Sequence, residues 1–191
     1  KGIDKAAYDK YRQDYADAKA SLKRLSGRRR SELAAVVGNL EALAASGKLT
    51  SSRAPLAFLT VRRNRSWWTQ GRLLGYGERV EFGSSIIQWQ SYPGQGLQLQ
   101  WLGTFGKANA LWTGGKRYNP KLKTLLGEII PLATERAGGI AWEYQFRFDG
   151  GSPPWVSGMA QGTAIQSLAR AATRLDDKSY YKVARSALGI F

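Results

Sequence analysis

Three arginines and two tryptophans lie close together in the first half of the chain: Arg62, Arg63, Arg65, Trp67 and Trp68. Guanidinium groups bind carboxylate or sulfate groups in a fork, and aromatic faces stack on sugar rings or on bases. The cluster is therefore a candidate groove for an acidic chain, and Arg65, Trp67 and Trp68 are its predicted contacts. The alternative is that the tryptophans pack in the core while the arginines face water.

Further polar and aromatic side chains are candidates for binding the same ligand. Tyr92 and Gln95 lie in a Gly-rich turn, where both are predicted to contact a sugar. Glu143 and Arg147 share the polar face of an alternating segment, where they either contact a sugar or pair with each other. Gln161 lies near the start of a helix and is predicted to bond either the backbone or a sugar.

The chain has no His and no Cys. This excludes disulfides, thiolate nucleophiles, zinc–thiolate sites and any His-containing triad formed by this chain alone. A general base must then be Glu, Asp, Tyr, Lys or a perturbed Arg. No metal site is predicted, and the glycines at residues 103 and 106 lack the spacing of a phosphate-binding loop.

The charge balance favours a polyanionic partner. The 191 residues contain 29 Lys and Arg against 14 Asp and Glu, a formal net charge of +15. The excess is +9 in residues 1–65 and +6 in the remainder, so it is not confined to a tail. Nucleic acid, an anionic membrane surface and an acidic polysaccharide all fit such a charge. No nucleic-acid-binding motif accompanies it, and no apolar run of 18 residues predicts a transmembrane helix.

Hydrophobic spacing predicts helices at both ends of the chain. Residues 1–26 and 31–46 form a predicted helical hairpin, with Ser31 as the N-cap of the second helix and Arg28–Arg30 in the turn. Shorter helices are predicted at 105–112, from Asn119 to about residue 136, from Ser157 to about residue 175, and from about residue 177 onward.

The middle of the chain has the pattern of short strands. Residues 80–82, 86–90 and 97–102 are predicted strands, with a turn at residues 92–96. Residues 140–148 alternate cleanly and are predicted to form one strand, with Glu143, Gln145 and Arg147 on its polar face. The resulting fold class is α+β: a helical hairpin over residues 1–54, then a β-rich segment followed by helices over residues 55–191.

The most specific motif lies between residues 138 and 165. Residues 138–147 read Gly-Gly-Ile-Ala-Trp-Glu-Tyr-Gln-Phe-Arg, and residues 154–165 read Pro-Trp-Val-Ser-Gly-Met-Ala-Gln-Gly-Thr-Ala-Ile. This sequence resembles the start of the C-terminal catalytic domain of D-glucuronyl C5-epimerases. The resemblance covers about 35–55 residues directly.

The resemblance implies the start of an (α/α) toroid and an isomerase that inverts C5 of glucuronic acid units in a heparosan-like polymer. It implies no cofactor. Abstraction of the C5 proton builds charge on the adjacent carboxylate, which Arg or Lys can neutralise. The family's main catalytic Tyr and Glu residues follow the motif and map onto no residue of this chain. The resemblance therefore implies a toroid completed by a companion chain or a C-terminal fragment.

Two rival functions remain open at this point. A polysaccharide lyase or glycosidase on the same toroid is one, and a non-catalytic polyanion-binding module is the other. An acidic polysaccharide partner favours an extracellular or cell-envelope location. No signal peptide is visible in the sequence.

Overall fold

The computed structural model describes residues 2–190 and confirms a mixed α+β fold. Its helices and strands follow the chain in this order: α1 Lys5–Leu22, α2 Gly27–Ala45, α3 Ala54–Gln70, β1 Arg79–Phe82, β2 Ser85–Tyr92, β3 Gly96–Leu99, α4 Trp101–Thr113, α5 Asn119–Ile129, β4 Thr134–Arg136, β5 Gly139–Ala141, β6 Glu143–Tyr144, β7 Trp155–Val156, α6 Gly158–Leu175 and α7 Ser179–Leu188. Two 3₁₀ turns, Lys116–Tyr118 and Ile130–Leu132, flank α5. No helix in the described range is long and apolar enough to cross a membrane.

The chain divides into two compact units, each assembled from several stretches. The first comprises Lys1–Val80, Trp89–Leu99 and Gln145–Pro154; the second comprises Glu81–Gln88, Gln100–Tyr144 and Trp155–Phe191. The predicted boundary between residues 54 and 55 stays a prediction.

In the first unit, α3 packs against both α1 and α2. The buried carboxylate of Asp14 accepts a hydrogen bond from Lys10 on its own helix and another from Arg62 on α3, each at 2.8 Å. A buried carboxylate needs such partners because desolvation penalises its charge. The predicted helical hairpin is therefore part of a three-helix group.

The start of α2 differs from the prediction. The helix begins four residues earlier than expected, with Ser26 as its N-cap, and Ser31 lies inside it. The predicted turn arginines are thus helical, and Arg28 and Arg29 donate to the backbone carbonyls of Leu74 and Trp68. These guanidinium groups satisfy carbonyl groups at the ends of other segments, which the sequence run alone does not reveal.

The hairpin of β2 and β3 is attached to the helices by buried polar side chains. Asn64 on α3 donates to the carbonyl of Leu97 and accepts from its N–H, both at 2.7 Å. Glu32 on α2 accepts from the N–H groups of Gly94 and Gly96, each at 2.9 Å. The predicted turn at residues 92–96 is confirmed, and strand pairing runs from Trp89↔Leu99 to Tyr92↔Gly96.

In the second unit, α4, α5, α6 and α7 pack around a core that includes Trp101, Phe105 and Trp142. The helix predicted to reach residue 136 ends at Ile129, because Pro131 lies in the 3₁₀ turn that follows. The single strand predicted at residues 140–148 is wrong. It is divided into β5, which pairs with β4, and β6, which pairs with β7.

Helix α6 is the best-predicted element of the second unit. Ser157 is its N-cap, as expected, and accepts a hydrogen bond from the N–H of Ala160. Ala160, Ala164 and Ala171 are completely buried. Small side chains allow helix backbones to approach closely, and α6 packs against both α4 and α7.

Candidate functional site

A basic cleft in the second unit is the best candidate for binding an acidic ligand. Its volume is about 430 Å³, and β1, β2, α4, α5 and the 3₁₀ turn before α5 form its walls. Three cationic side chains and one carboxylate line it together with apolar and aromatic groups: Glu81, Ile86, Lys107, Ala110, Leu111, Gly114, Arg117, Tyr118 and Lys121. The lining is therefore cationic at neutral pH.

The cations of the cleft differ in their partners. Lys107 forms an ion pair with Glu81 and donates to the carbonyl of Ile86 at 3.1 Å. Arg117 and Lys121 form no ion pair with any described carboxylate. Both are exposed. Their charges are thus available to an anionic ligand, whereas the charge of Lys107 is already neutralised.

The aromatic wall of the cleft depends on a glycine. A Cβ atom at Gly114 would lie 2.6 Å from Cδ2 of Tyr118, so the ring packs directly on the backbone at this position. The guanidinium carbon of Arg117 lies 4.7 Å from the centre of the same ring. This cation–π contact places a charge beside an aromatic face.

The Met-Ala-Gln-Gly motif has a structural centre at Gln161. Its side-chain amide donates to the carbonyls of Ile140 and Ala187 at 2.8 and 3.0 Å, and its oxygen accepts from the N–H of Trp142 at 3.2 Å. The residue is completely buried. Of the two predicted alternatives, bonding to the backbone is the one observed.

Glu143 is fully buried, although the alternating pattern predicted it on a polar face. Its carboxylate pairs with Arg136 at 2.9 Å, and its carbonyl accepts from the indole of Trp101 at 2.9 Å. The neighbouring Tyr144 ring stacks on Trp155, with ring centres 4.3 Å apart. These contacts attach β6 and β7 to the rest of the second unit, and the predicted sugar contact of Glu143 stays a prediction.

The candidates on α3 have different environments. Trp68 is fully buried, and its indole donates to Asn64 at 2.9 Å. Trp67 is half-buried and donates to the carbonyl of Arg72. Arg65 pairs with Asp17 at 3.3 Å. None of these three lines the basic cleft, and their predicted ligand contacts stay predictions.

The remaining candidates belong to the first unit. Tyr92 is buried among aromatic rings, with ring centres 4.7 Å from Phe146 and 5.7 Å from Phe148. Gln95 is half-buried and accepts a hydrogen bond from Asn39 at 3.1 Å. Arg147 is exposed. The fold thus uses Tyr92 mainly for packing and leaves Arg147 free to contact a ligand.

The sequence reasoning missed the basic cleft. Its residues are spread from Glu81 to Lys121 and carry no short motif. One signal was present: Lys116, Arg117, Lys121 and Lys123 are four cations within eight residues that include no carboxylate. Such spacing places cations around a helix start, but only the contacts of Lys107 on α4 with Glu81 on β1 and Ile86 on β2 show that they border a cleft.

The chain has an α+β fold with a basic surface cleft, and one comparison with known protein families finds a match to its C-terminal part. Residues 136–191 match the family described as D-glucuronyl C5-epimerase C-terminus. The resemblance predicted from the sequence is thereby confirmed for the segment that contains β5–β7, α6 and α7. No curated protein and no solved structure gives a match.

Proposed function

We propose that this chain is part of a uronate-epimerase-like protein that acts on glucuronic acid units of an acidic polysaccharide. The family match at residues 136–191 carries the proposal. The cleft supports it, because Arg117 and Lys121 are exposed cations beside the Tyr118 ring. In this proposal, helices α4–α7 begin an (α/α) toroid that a companion chain or a C-terminal fragment completes.

The proposed reaction is abstraction of the C5 proton and reprotonation from the opposite face. Negative charge develops on the substrate carboxylate as the proton leaves, and a neighbouring cation stabilises it. The cleft residues are proposed to bind polymer carboxylates, while the acid and base groups come from the remainder of the site. An acidic polymer substrate fits a location outside the cell or in its envelope.

A second candidate function is binding of the polyanion without catalysis. It is favoured by the burial of Glu143, the one carboxylate within the two matching stretches at residues 138–147 and 154–165, which is already paired with Arg136. A buried, paired carboxylate is a poor general base for a polymer in solvent.

Incubation of the protein with heparosan in deuterated water tests these proposals. The epimerase is expected to incorporate deuterium at C5, which mass spectrometry and NMR detect. No new ultraviolet absorbance should appear. A new unsaturated product would instead identify a lyase, because elimination at C4 follows the same first step. Heparosan binding without deuterium exchange or cleavage would support the non-catalytic binding function and exclude both enzymes.

The same assay examines the cleft through a double variant, Arg117→Gln with Lys121→Gln. We expect the KM for the polymer to rise by about tenfold, because two charge-assisted contacts are lost. The matched control is Lys23→Gln with Arg24→Gln, which removes two exposed charges in the first unit. Equal effects of the two pairs would contradict a specific role for the cleft.

A further inference from the structure

Two arginines of α6 approach one tryptophan of α4. The guanidinium carbons of Arg170 and Arg174 lie 4.6 and 5.4 Å from the centre of the Trp112 ring. All three residues are half-buried. Stacking on an indole orients a planar guanidinium and leaves its edge donors available.

The arginine pair lacks a compensating negative charge. Within residues 2–190, neither guanidinium forms an ion pair with a carboxylate. Like charges four residues apart on a helix repel each other. The Arg170 Nη1 donates only to neutral oxygens, to Asn109 at 2.8 Å and to Gln166 at 3.2 Å. The Nη1 of Arg174 is buried and has no hydrogen-bond partner.

The neighbouring amides complete a polar surface. Asn109 donates to Gln166 at 3.1 Å, so that α4 and α6 are joined beside the arginines. Five N–H groups per guanidinium exceed what these two amides can accept. The surface therefore holds an excess of oriented donors and a concentrated positive charge, which is the complement of a carboxylate or a sulfate group.

Acidic groups lie to one side of this surface. Arg174 also lines a cavity of about 470 Å³ together with Lys123, Asp176 and Asp177. Hydrogen bonds from Ser179 lower the pKa of Asp177, so this carboxylate is charged at neutral pH and repels an anion. An anion is accordingly expected at the edge donors of the pair, on the side away from Asp176 and Asp177.

We infer that Arg170 and Arg174, held by Trp112, form a binding site for a carboxylate or sulfate group of an acidic glycan. The inference rests on the proposed function for its ligand class and assigns a place on α6 that is separate in its residues from the basic cleft. The site is proposed to bind the polymer and has no role in proton transfer.

Calorimetric titration with defined hexasaccharides tests this site: unsulfated heparosan supplies carboxylates, a heparin fragment adds sulfates, and maltohexaose is the neutral probe. Arg170→Gln with Arg174→Gln is expected to weaken binding of the acidic probes by roughly 10- to 100-fold. The matched control is Lys178→Gln with Lys182→Gln, two exposed cations four residues apart at the start of α7, which should change affinity less than about threefold.

A pair of charge-preserving substitutions distinguishes a specific binding site from general electrostatic attraction. Arg170→Lys with Arg174→Lys keeps the charge but loses the fork and the stacking, so a loss of roughly tenfold is expected. Unfolding curves of all variants check that they fold. Unchanged affinity in the lysine pair, or equal losses in the glutamine pair and the α7 control, would overturn the site.

The outcomes also show separately whether the Arg170–Arg174 site or the proposed epimerase function is wrong. Unchanged heparosan binding by the glutamine pair, combined with C5 deuterium exchange by the unmodified protein, would overturn only the site. Arginine-dependent binding without any exchange would retain the site and overturn the epimerase proposal. A difference between the heparosan and heparin fragments would show whether carboxylate or sulfate is the preferred group.

Discussion

Gln161 shows what a single residue of the motif contributes. It bonds three backbone groups contributed by the segments on either side of it, at Ile140, Trp142 and Ala187. Gln161→Leu would leave these buried groups without a partner, and each unsatisfied group costs about 1–3 kcal/mol. We expect the free energy of unfolding to fall by roughly 3–5 kcal/mol, measured by urea denaturation.

The adjacent position supplies the control for this change. A Cβ atom at Gly162 would meet nothing within 4 Å. Gly162→Ala should therefore stabilise α6 by about 0.5–1 kcal/mol, since alanine loses less backbone entropy than glycine in a helix. Similar stability of the Gln161→Leu variant and the unmodified protein would show that the amide network is not needed for packing.

The sequence could identify Gln161 as important but could not choose between its two roles. The motif carries the residue, whereas the choice depends on whether Ile140 and Ala187, 21 and 26 residues away, present their carbonyls to it. The predicted position of Glu143 on a polar face is wrong for a related reason. Alternation predicts the face of a strand only while the strand keeps one partner, and β5 and β6 pair with different strands.

At the scale of elements, the β2–β3 turn contains two glycines with very different surroundings. Gly94 and Gly96 both have positive φ, 78° and 71°. A Cβ atom at Gly94 would meet nothing within 4 Å, whereas one at Gly96 would lie 2.5 Å from Val36 and 2.6 Å from Asn64. The turn therefore requires glycine at Gly94 for the backbone conformation alone. At Gly96 it also requires glycine because Val36 and Asn64 approach the backbone closely.

Alanine substitutions at these two positions form a matched pair. Gly94→Ala should cost about 1–2 kcal/mol, the price of a left-handed conformation for a residue with a Cβ atom. Gly96→Ala should cost roughly 3 kcal/mol or more, because overpacking is added to the same strain. Thermal unfolding measures both. Equal losses would mean that the hairpin can move away from α2 and α3 without penalty.

Helix α3 is the element that sequence reasoning described least well. Its buried face includes Ala57, Val61 and Trp68, but the position between the last two is Asn64, whose polar side chain interrupts the apolar stripe. Two features of the sequence indicated this helix: Pro55 in its first turn and the four-residue spacing of buried positions such as Ala57 and Val61. Asn64 is buried because it binds both backbone groups of Leu97, a long-range contact that local periodicity cannot reveal.

For the whole molecule, the net charge of +15 predicts opposite effects of salt on two properties. Raising NaCl from about 50 to 300 mM shortens the Debye length and screens attraction to an acidic glycan, so heparosan affinity should fall steeply. The same screening relieves repulsion among the excess cations. We therefore expect Tm to rise by a few degrees over this range, measured by differential scanning calorimetry.

The expected rise of Tm with salt depends on how many of the charges form ion pairs within the protein. Several ion pairs among the described residues have both partners exposed, for example Lys19–Glu41 and Arg72–Glu78, and exposed pairs contribute about 0–1 kcal/mol each. The buried carboxylates of Asp14, Glu32 and Glu143 are less sensitive to screening. A fall of Tm with added salt would mean that the exposed pairs outweigh the repulsion. It would also imply that the cations are arranged mainly to stabilise the fold and not to bind a polyanion.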